Sequence, residues 1–253
     1  MKQDERASFD HALQRARIAA YPSGEFVGQE SFMRASEIRA LATRAGIAPG
    51  VPILDLCCGV AGPGLFITRE LGCAYLGVDF SASAIEIARD RAAGLPCRFE
   101  VARIPPLPPG AFEVVLLLET MLAFPDKEPL LHEIAGALPS GGRFAFTLEE
   151  GLPLTEAERE RMPDADTVWL MPLPELLASL ERVGLAVRWR ADCSGPHRAI
   201  AESLIASFEA DATNIAPQIG DRAFEELLIA HRLWSGWLGN GRARKLAVVA
   251  QKV

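Results

Sequence analysis

The sequence predicts an α/β fold: a doubly wound, seven-stranded, mainly parallel sheet with helical elements that cover one edge. Three observations carry this. Short apolar runs alternate with helix-periodic stretches from residue 49 onward. One run, "FEVVLLLET", is apolar on both faces, as a strand buried inside a parallel sheet should be. A third, "ILDLCCGVAGPG" from Ile53 to Gly64, passes from strand into a glycine loop and then into a helix.

The elements follow in order. Residues 6–20 place Phe9, Leu13, Ala16 and Ala20 at helical spacing, and "YPSGEFVGQE" interrupts with Pro22, Gly24 and Gly28. A second amphipathic helix is expected from Phe32 to Ala45. A first strand at Ile53–Cys57 precedes a helix at Pro63–Glu70, and the strand "CAYLGVDF" precedes "SASAIEIARDRAAG", where Ser83 and Glu86 have capping-box spacing. "CRFEVA" leads through the loop "RIPPLPPG" to "FEVVLLLET". The next helix opens with Asp126 and carries Pro129 in its first turn, where a missing N–H is tolerated. "PSGG" ends it, and "RFAFTLEE", "LAVRWRADC" and "KLAVVAQKV" supply the last strands.

Three stretches break the alternation: residues 1–48, the segment "GLPLTEAERERMPDADTVWLMPLP", and about Gly195–Gly241, read as two amphipathic helices. This divides the chain into a helical amino-terminal lid (1–48), a core (49–192 with 242–253) and a covering insertion (193–241). Ligands of such sheets bind at the carboxyl ends of the strands, the edge these stretches would cover.

Composition excludes several classes. A net charge of -7 gives no general attraction for nucleic acid or an acidic membrane, and "GRARK" at 241–245 reads as a solvated approach to the last strand. Five cysteines without C-x-x-C spacing point to a reducing compartment and to no metal site. The charged start lacks an apolar targeting core, so a cytoplasmic location is expected.

The glycine loop misses the dinucleotide pattern G-x-G-x-x-G in both frames, because Cys57 and Ala61 stand where glycines are required. Asp55, just before the loop, would repel a pyrophosphate and attract an ammonium or sulfonium group. Asp79 ends the second strand, where an acid accepts from ribose hydroxyls. Together they fit a nucleoside joined to a cationic amino acid better than NAD(P).

"ILDLCCGVAGPG", "YLGVDFS", "AFEVVLLLETML" and "ALPSGGRFAFT" resemble, in order and spacing, the successive motifs of class I S-adenosylmethionine-dependent methyltransferases. The resemblance covers about residues 48–192 and the last strand, and its flavour is that of sarcosine and dimethylglycine N-methyltransferases. It implies a Rossmann-like sheet, S-adenosylmethionine as donor with S-adenosylhomocysteine as product, and a small-molecule acceptor. It gives Asp55, Cys57, Gly59 and Gly62 to the methionine end and loop, Asp79 and Phe80 to the ribose and adenine, and Glu119 to the edge of the methyl-transfer cavity. Gly141 and Gly142 form a structural turn in this reading. Where relatives often carry an acid for the adenine amino group stand Ala102 and Arg103. Cys57 and Ala61 would still admit the donor if their φ stayed negative.

Methyl transfer from a sulfonium needs alignment and exclusion of water, and a base only if the nucleophile must lose a proton. The catalytic candidates are Glu119 and His197. Tyr21, Phe26, Glu149, Trp169, His197, His231 and Trp234 are candidates for the acceptor. Glu150, Asp164 and Asp166 are further carboxylates near that edge, each with a plainer reading as a cap or solvated charge, and His11 and His132 read as surface residues. Cys57 as a nucleophile and a packed core His231 are secondary readings. "ETML" lacks the signature of enzymes that methylate flipped bases, and too few thiols stand near the loop for arsenic chemistry. The alternatives are a protein of the same fold that binds the donor without transferring methyl, in regulation or in a cyclisation-type reaction, and an NAD(P)-dependent oxidoreductase.

Overall fold

The computed structural model describes residues 11–253, so Phe9 and the rest of the first ten residues lie outside it, as does the side chain of His11. The expected alternation is present. The strands are β1 (Pro52–Leu56), β2 (Ala74–Asp79), β3 (Cys97–Val101), β4 (Val114–Leu117), β5 (Arg143–Glu150), β6 (Leu185–Asp192) and β7 (Arg244–Lys252). They form one seven-stranded sheet in the order β3-β2-β1-β4-β5-β7-β6. β3, β2, β1, β4 and β5 run parallel to one another, while β7 runs antiparallel to both β5 and β6. The order reverses between β1 and β4, so their carboxyl ends open a crevice where a ligand can enter.

Both faces of the sheet are buried. Ile53, Leu65, Tyr75 and Val114 belong to one apolar cluster, and Leu54, Val115, Leu131 and Phe146 to another. The helix Ala35–Arg44 starts three residues later than expected, with its first turn held by Glu37, whose carboxylate accepts from the Arg34 N–H at 2.9 Å. Its Ile38, Leu41 and Ala42 pack into the first cluster, so this helix is part of the core packing rather than a cover.

The covering layer is assembled from distant parts of the chain. The helix His11–Ala20 contributes Ala12, Ala16 and Ala20 to a cluster with Ile200, Leu204, Phe208, Phe224 and Leu228. Residues 194–240 form three helices where two were expected, Ser194–Ala210, Ala212–Ile219 and Asp221–Asn240. Asp211 leaves helical geometry at φ -111°, and Gly220 takes φ +91°, a left-handed value that glycine adopts freely. The segment after β5 forms the short helix Glu156–Arg161 and a turn of 3-10 helix at Ala165–Thr167. It is fastened by the buried Lys127, whose Nζ donates to the carbonyls of Phe124 and Trp169 at 2.8 and 2.9 Å.

One helix start also differs from expectation. The helix Ala82–Arg91 is capped by Ser81, whose hydroxyl accepts from the Ala84 N–H at 3.2 Å, so Ser83 and Glu86 do not form the cap. The helix begins two residues early because Asp79 turns the chain directly after β2. Among the described residues no helix is long and apolar enough to cross a membrane.

Candidate functional site

Two cavities adjoin at the carboxyl ends of β1, β2, β4 and β5. The loop cavity, about 310 Å³, lies along residues 55–63 and includes Asp55, Cys57, Gly59, Gly62, Asp79 and Phe80 in its wall. The helical cavity, about 240 Å³, lies under the covering helices. Gln29, Glu30, Ser31 and Glu119 line both.

The glycine loop is built around Asp79. One carboxylate oxygen accepts from the Gly59 N–H at 2.9 Å and the other from the Ser81 N–H at 2.9 Å. The loop therefore already has a carboxylate at its backbone donors, and Asp55 places a second acid in the same wall. Such a surface repels a pyrophosphate.

Cys57 and Ala61 have φ of +56° and +58°, so the condition of negative φ set for them is not met, and Gly59 between them has +53°. The two side chains sit in a left-handed region that costs an L-residue roughly 1–2 kcal/mol. Glu119 is likewise left-handed at φ +62°. These three non-glycine residues stand where the chain leaves β1 and β4, and strain of this kind concentrates at functional sites. Burial pushes the Cys57 thiol up to about 12, so it is not a thiolate near neutral pH and the nucleophile reading fails.

Asp55 is buried and accepts from the Tyr75 hydroxyl at 2.7 Å. Burial raises its pKa from 3.8 to about 7, the Tyr75 bond opposes that rise, and the charge of Asp79 adds to it. Tyr75 has room because Gly64 lacks a side chain: a Cβ there would lie 2.3 Å from the Tyr75 ring. The last glycine of "GVAGPG" thus serves the tyrosine that holds Asp55. Gly64→Ala is expected to destabilise the protein by about 1–3 kcal/mol, the cost of overpacking, measured by urea unfolding.

The segment between the first two helices straps onto the loop. A Cβ on Gly62 would meet the Gly28 carbonyl oxygen at 2.4 Å, and Arg91 donates to the carbonyls of Val60 and Val27 at 3.0 and 3.4 Å. Gln29 braces the strap, accepting from the Val27 N–H and donating to the Glu25 and Met33 carbonyls.

The helical cavity holds a charged group the sequence hid. Lys245 is buried, with Nζ paired to Glu119 at 2.7 Å and to Glu149. Burial would lower its pKa, but the two carboxylates outweigh that and raise it, so the ammonium persists. The expectation that "GRARK" is solvated is therefore overturned. Arg242 pairs with Glu158, Arg244 with Glu150, and Lys245 turns inward because neighbouring strand residues face opposite sides. The same alternation takes Glu150 out of the cavity wall.

His197 lies on the helix Ser194–Ala210 and is 1% exposed. Its Nε2 is 3.6 Å from Glu37, and neither ring nitrogen has a hydrogen-bond partner among the described residues. Burial, then the nearby Lys245 charge, lowers its pKa to about 3, so it stays neutral and is suited to hydrogen bonding rather than to holding a proton. Glu37, Cys193 and His197 bring potential ligand atoms within 4.8 Å of one another. The Arg34 Nε at 3.2 Å from Glu37 and the Lys245 charge oppose a cation there.

The remaining acceptor candidates divide. Tyr21, Glu149, His231 and Trp234 line the helical cavity. His231 is held by the Leu227 carbonyl at 2.7 Å with Phe32 and Phe208 edge-on to its ring, and burial lowers its pKa. Phe26 packs on Tyr21, with ring centroids 5.3 Å apart, behind the wall. Trp169 is also outside it, because its indole donates to the Asp166 carbonyl and Arg159 lies 4.3 Å over its ring. Asp164 and Asp166 are exposed and line neither cavity, and His132 is exposed. Phe80 is exposed at the rim of the loop cavity with Arg103 5.2 Å over its ring. Ala102 donates its N–H to the Asp79 carbonyl at 2.9 Å, and neither it nor Arg103 reaches the wall. Sequence reasoning missed Gln29, Ser31 and Lys245, of which only Lys245 had a signal, its position in the alternation of β7.

Strand order, an antiparallel β7, a glycine loop after β1 and an acid ending β2 define a Rossmann-like fold with a nucleoside-type crevice. Residues 53–142 match a family profile described as a methyltransferase domain. That match spans the glycine loop, the acid that ends β2 and the strand β4, within a Rossmann-like sheet. Methyltransferase GfsG of Streptomyces halstedii is 33% identical over 109 residues, covering 41% of this chain and 39% of that protein. The chain thus matches well under two thirds of that relative's length. Among solved structures, phosphoethanolamine N-methyltransferase 2 of Haemonchus contortus, in complex with phosphomonomethylethanolamine and S-adenosylhomocysteine, has a TM-score of 0.79 at 17% identity, covering 99% of this chain and 59% of that one. A protein assigned as a sarcosine dimethylglycine methyltransferase from Galdieria sulphuraria has a TM-score of 0.80 at 15% identity, covering 96% and 98%. The [4+2]-cyclase SpnF has 0.74 at 18%, covering 98% and 94%. At these identities the structural matches concern the fold.

Proposed function

We propose that the protein is an S-adenosylmethionine-dependent methyltransferase with the donor in the loop cavity and a small organic acceptor in the helical cavity. The observation that carries this is the shared wall: the two cavities meet at Glu119, Gln29, Glu30 and Ser31. The cover of helices and strap leaves a pocket for a metabolite and excludes bulky chains such as nucleic acid. Five free cysteines favour a cytoplasmic setting.

The donor fits the residues present. Asp55 would take its ammonium end, the backbone at Cys57, Gly59 and Gly62 its amino-acid chain, and Asp79 the ribose hydroxyls through lone pairs its two backbone bonds leave free. Phe80 would lie along the adenine, with Ala102 and Arg103 beside it. The donor supplies an activated methyl group on a sulfonium. The chain's own part is alignment, exclusion of water by the strap and helices, and a carboxylate at the junction.

Titration with S-adenosylhomocysteine and with NADH tests the reading: the first is expected to bind at micromolar concentration and the second not to bind. Transfer of a labelled methyl to a metabolite panel then separates catalysis from donor binding alone, and the fold shared with a cyclase is the reason to measure both.

Asp55 adds a pH dependence. Its ionised form is the one that attracts an ammonium group, and the free protein holds its proton up to about pH 7. Donor affinity should fall roughly tenfold per pH unit below 7, in step with the ionised fraction, and Asp55→Asn should flatten the profile while weakening binding. The unliganded protein should instead lose stability as pH rises from 3.8 to about 7, because the folded state keeps a proton that the unfolded state releases. Calorimetric titration and urea unfolding across this range check both signs.

A further inference from the structure

Among the described residues, the wall of the helical cavity leaves Glu149 Oε2 and both ring nitrogens of His197 buried without a partner, while Glu119 Oε1 is ion-paired to Lys245. Glu149 binds Lys245 through Oε1, while its Oε2 is buried and has no hydrogen-bond partner among the described residues. A buried carboxylate oxygen left unpaired is costly, so a donor is expected to occupy that place when the cavity is filled.

The other charges limit what carries the donor. The cations in the wall are Arg17 and Lys245, and each is already committed, Arg17 to Glu30 at 2.8 Å and Lys245 to Glu119 and Glu149. Among the described residues, no cation in the wall is left to neutralise a phosphate or carboxylate. The three carboxylates of the wall outnumber its two cations, but an ammonium has no lone pair to receive a methyl group, and at Glu149 it would stand against the Lys245 ammonium. The rest of the wall is apolar or aromatic, with Phe32, Leu204, Ala230, Trp234 and Leu238, and His231 whose Nδ1 is engaged by the Leu227 carbonyl. A cavity of about 150 Å³ holds benzene, so one of about 240 Å³ holds roughly ten non-hydrogen atoms.

We infer that the acceptor is an uncharged alcohol or phenol of about ten non-hydrogen atoms, or the hydroxyl-bearing end of a larger apolar molecule, with its hydroxyl donated to Glu149 Oε2. This rests on the helical cavity being the acceptor site. In the transfer, the hydroxyl oxygen bonds the methyl carbon as the carbon–sulfur bond breaks with its electron pair staying on sulfur. The hydroxyl proton passes to Glu149 Oε2 and from there to solvent, leaving a methyl ether and a thioether. Neutral His197 remains free to hydrogen-bond the same acceptor. The inference separates this cavity from one built for phosphomonomethylethanolamine, the ligand held by the Haemonchus contortus protein.

Equilibrium binding of 2-naphthol, 2-methoxynaphthalene, phosphoethanolamine and choline, with and without S-adenosylhomocysteine, tests it. The wild-type protein is expected to bind 2-naphthol about tenfold more tightly than 2-methoxynaphthalene, as a hydrogen bond to a carboxylate allows, and to bind neither phosphoethanolamine nor choline measurably. In Glu149→Gln the preference should shrink and methylation of 2-naphthol should fall by about a hundredfold or more, since an amide accepts a hydrogen bond but no proton. Equal binding of the two naphthalenes, or tighter binding of phosphoethanolamine or choline, overturns the inference even if the variant fails to fold. A naphthol preference without any S-adenosylhomocysteine binding supports the acceptor class and contradicts the donor assignment instead.

Discussion

Asp79→Asn is expected to weaken S-adenosylhomocysteine binding by a hundredfold or more and to lower the thermal midpoint by several degrees. Both carboxylate oxygens now accept backbone N–H groups, from Gly59 and Ser81 at 2.9 Å each. An amide has one oxygen, so its NH2 would face one of these donors and leave it unsatisfied. A hydrogen bond to a charged group contributes about 1.5–3 kcal/mol, and about 1 kcal/mol shifts the midpoint by roughly 2–4 °C in a chain of this size. The loop has little tolerance, because Cys57 and Ala61 are held at positive φ on either side of Gly59. The ribose would lose its acceptor at the same time. Calorimetry and circular dichroism melts measure the two effects, and donor affinity equal to wild type would remove Asp79 from the site.

Lys245→Met is expected to destabilise the protein by about 3–5 kcal/mol, the range for removing one partner of a buried pair. It leaves Glu119 and Glu149, 14% and 9% exposed at their side chains, without their shared cation. Adding Glu149→Gln to Lys245→Met should recover part of the stability, since it removes one of the stranded charges. Urea unfolding of the two single variants and the double variant gives the coupling directly. Additive effects would show that Lys245 and Glu149 do not interact energetically.

Much of the core could be read in the sequence because a parallel sheet writes itself as apolar runs at regular spacing. Asp55 and Asp79 were legible for the same reason: each stands on a strand, at or one residue short of its carboxyl end. What the sequence concealed depended on which way a residue turns. Lys245 sits in a basic run whose members alternate between an external partner for Arg244 and the buried Glu149. Cys57 and Ala61 reveal nothing of their left-handed backbone, which flanks a loop held by Asp79 at Gly59 and by the strap at Gly62. Trp169 and Phe26 were expected in the pocket as aromatic residues of covering segments, yet each found a nearer partner, Arg159 and Tyr21. Covering layers are hard to read because they are assembled from residues far apart, as with Ala16, whose carbonyl accepts from the Ser207 hydroxyl at 2.7 Å.

The central claim is that a sulfonium donor in the loop cavity meets an acceptor in the helical cavity at Glu119. A crystal structure of the protein with S-adenosylhomocysteine measures this most directly. It should find the ribose hydroxyls on Asp79, the amino group beside Asp55, and the sulfur directed at the wall that holds Glu119 and Gln29. Density for the nucleoside elsewhere, or a sulfur turned away from the helical cavity, would contradict it.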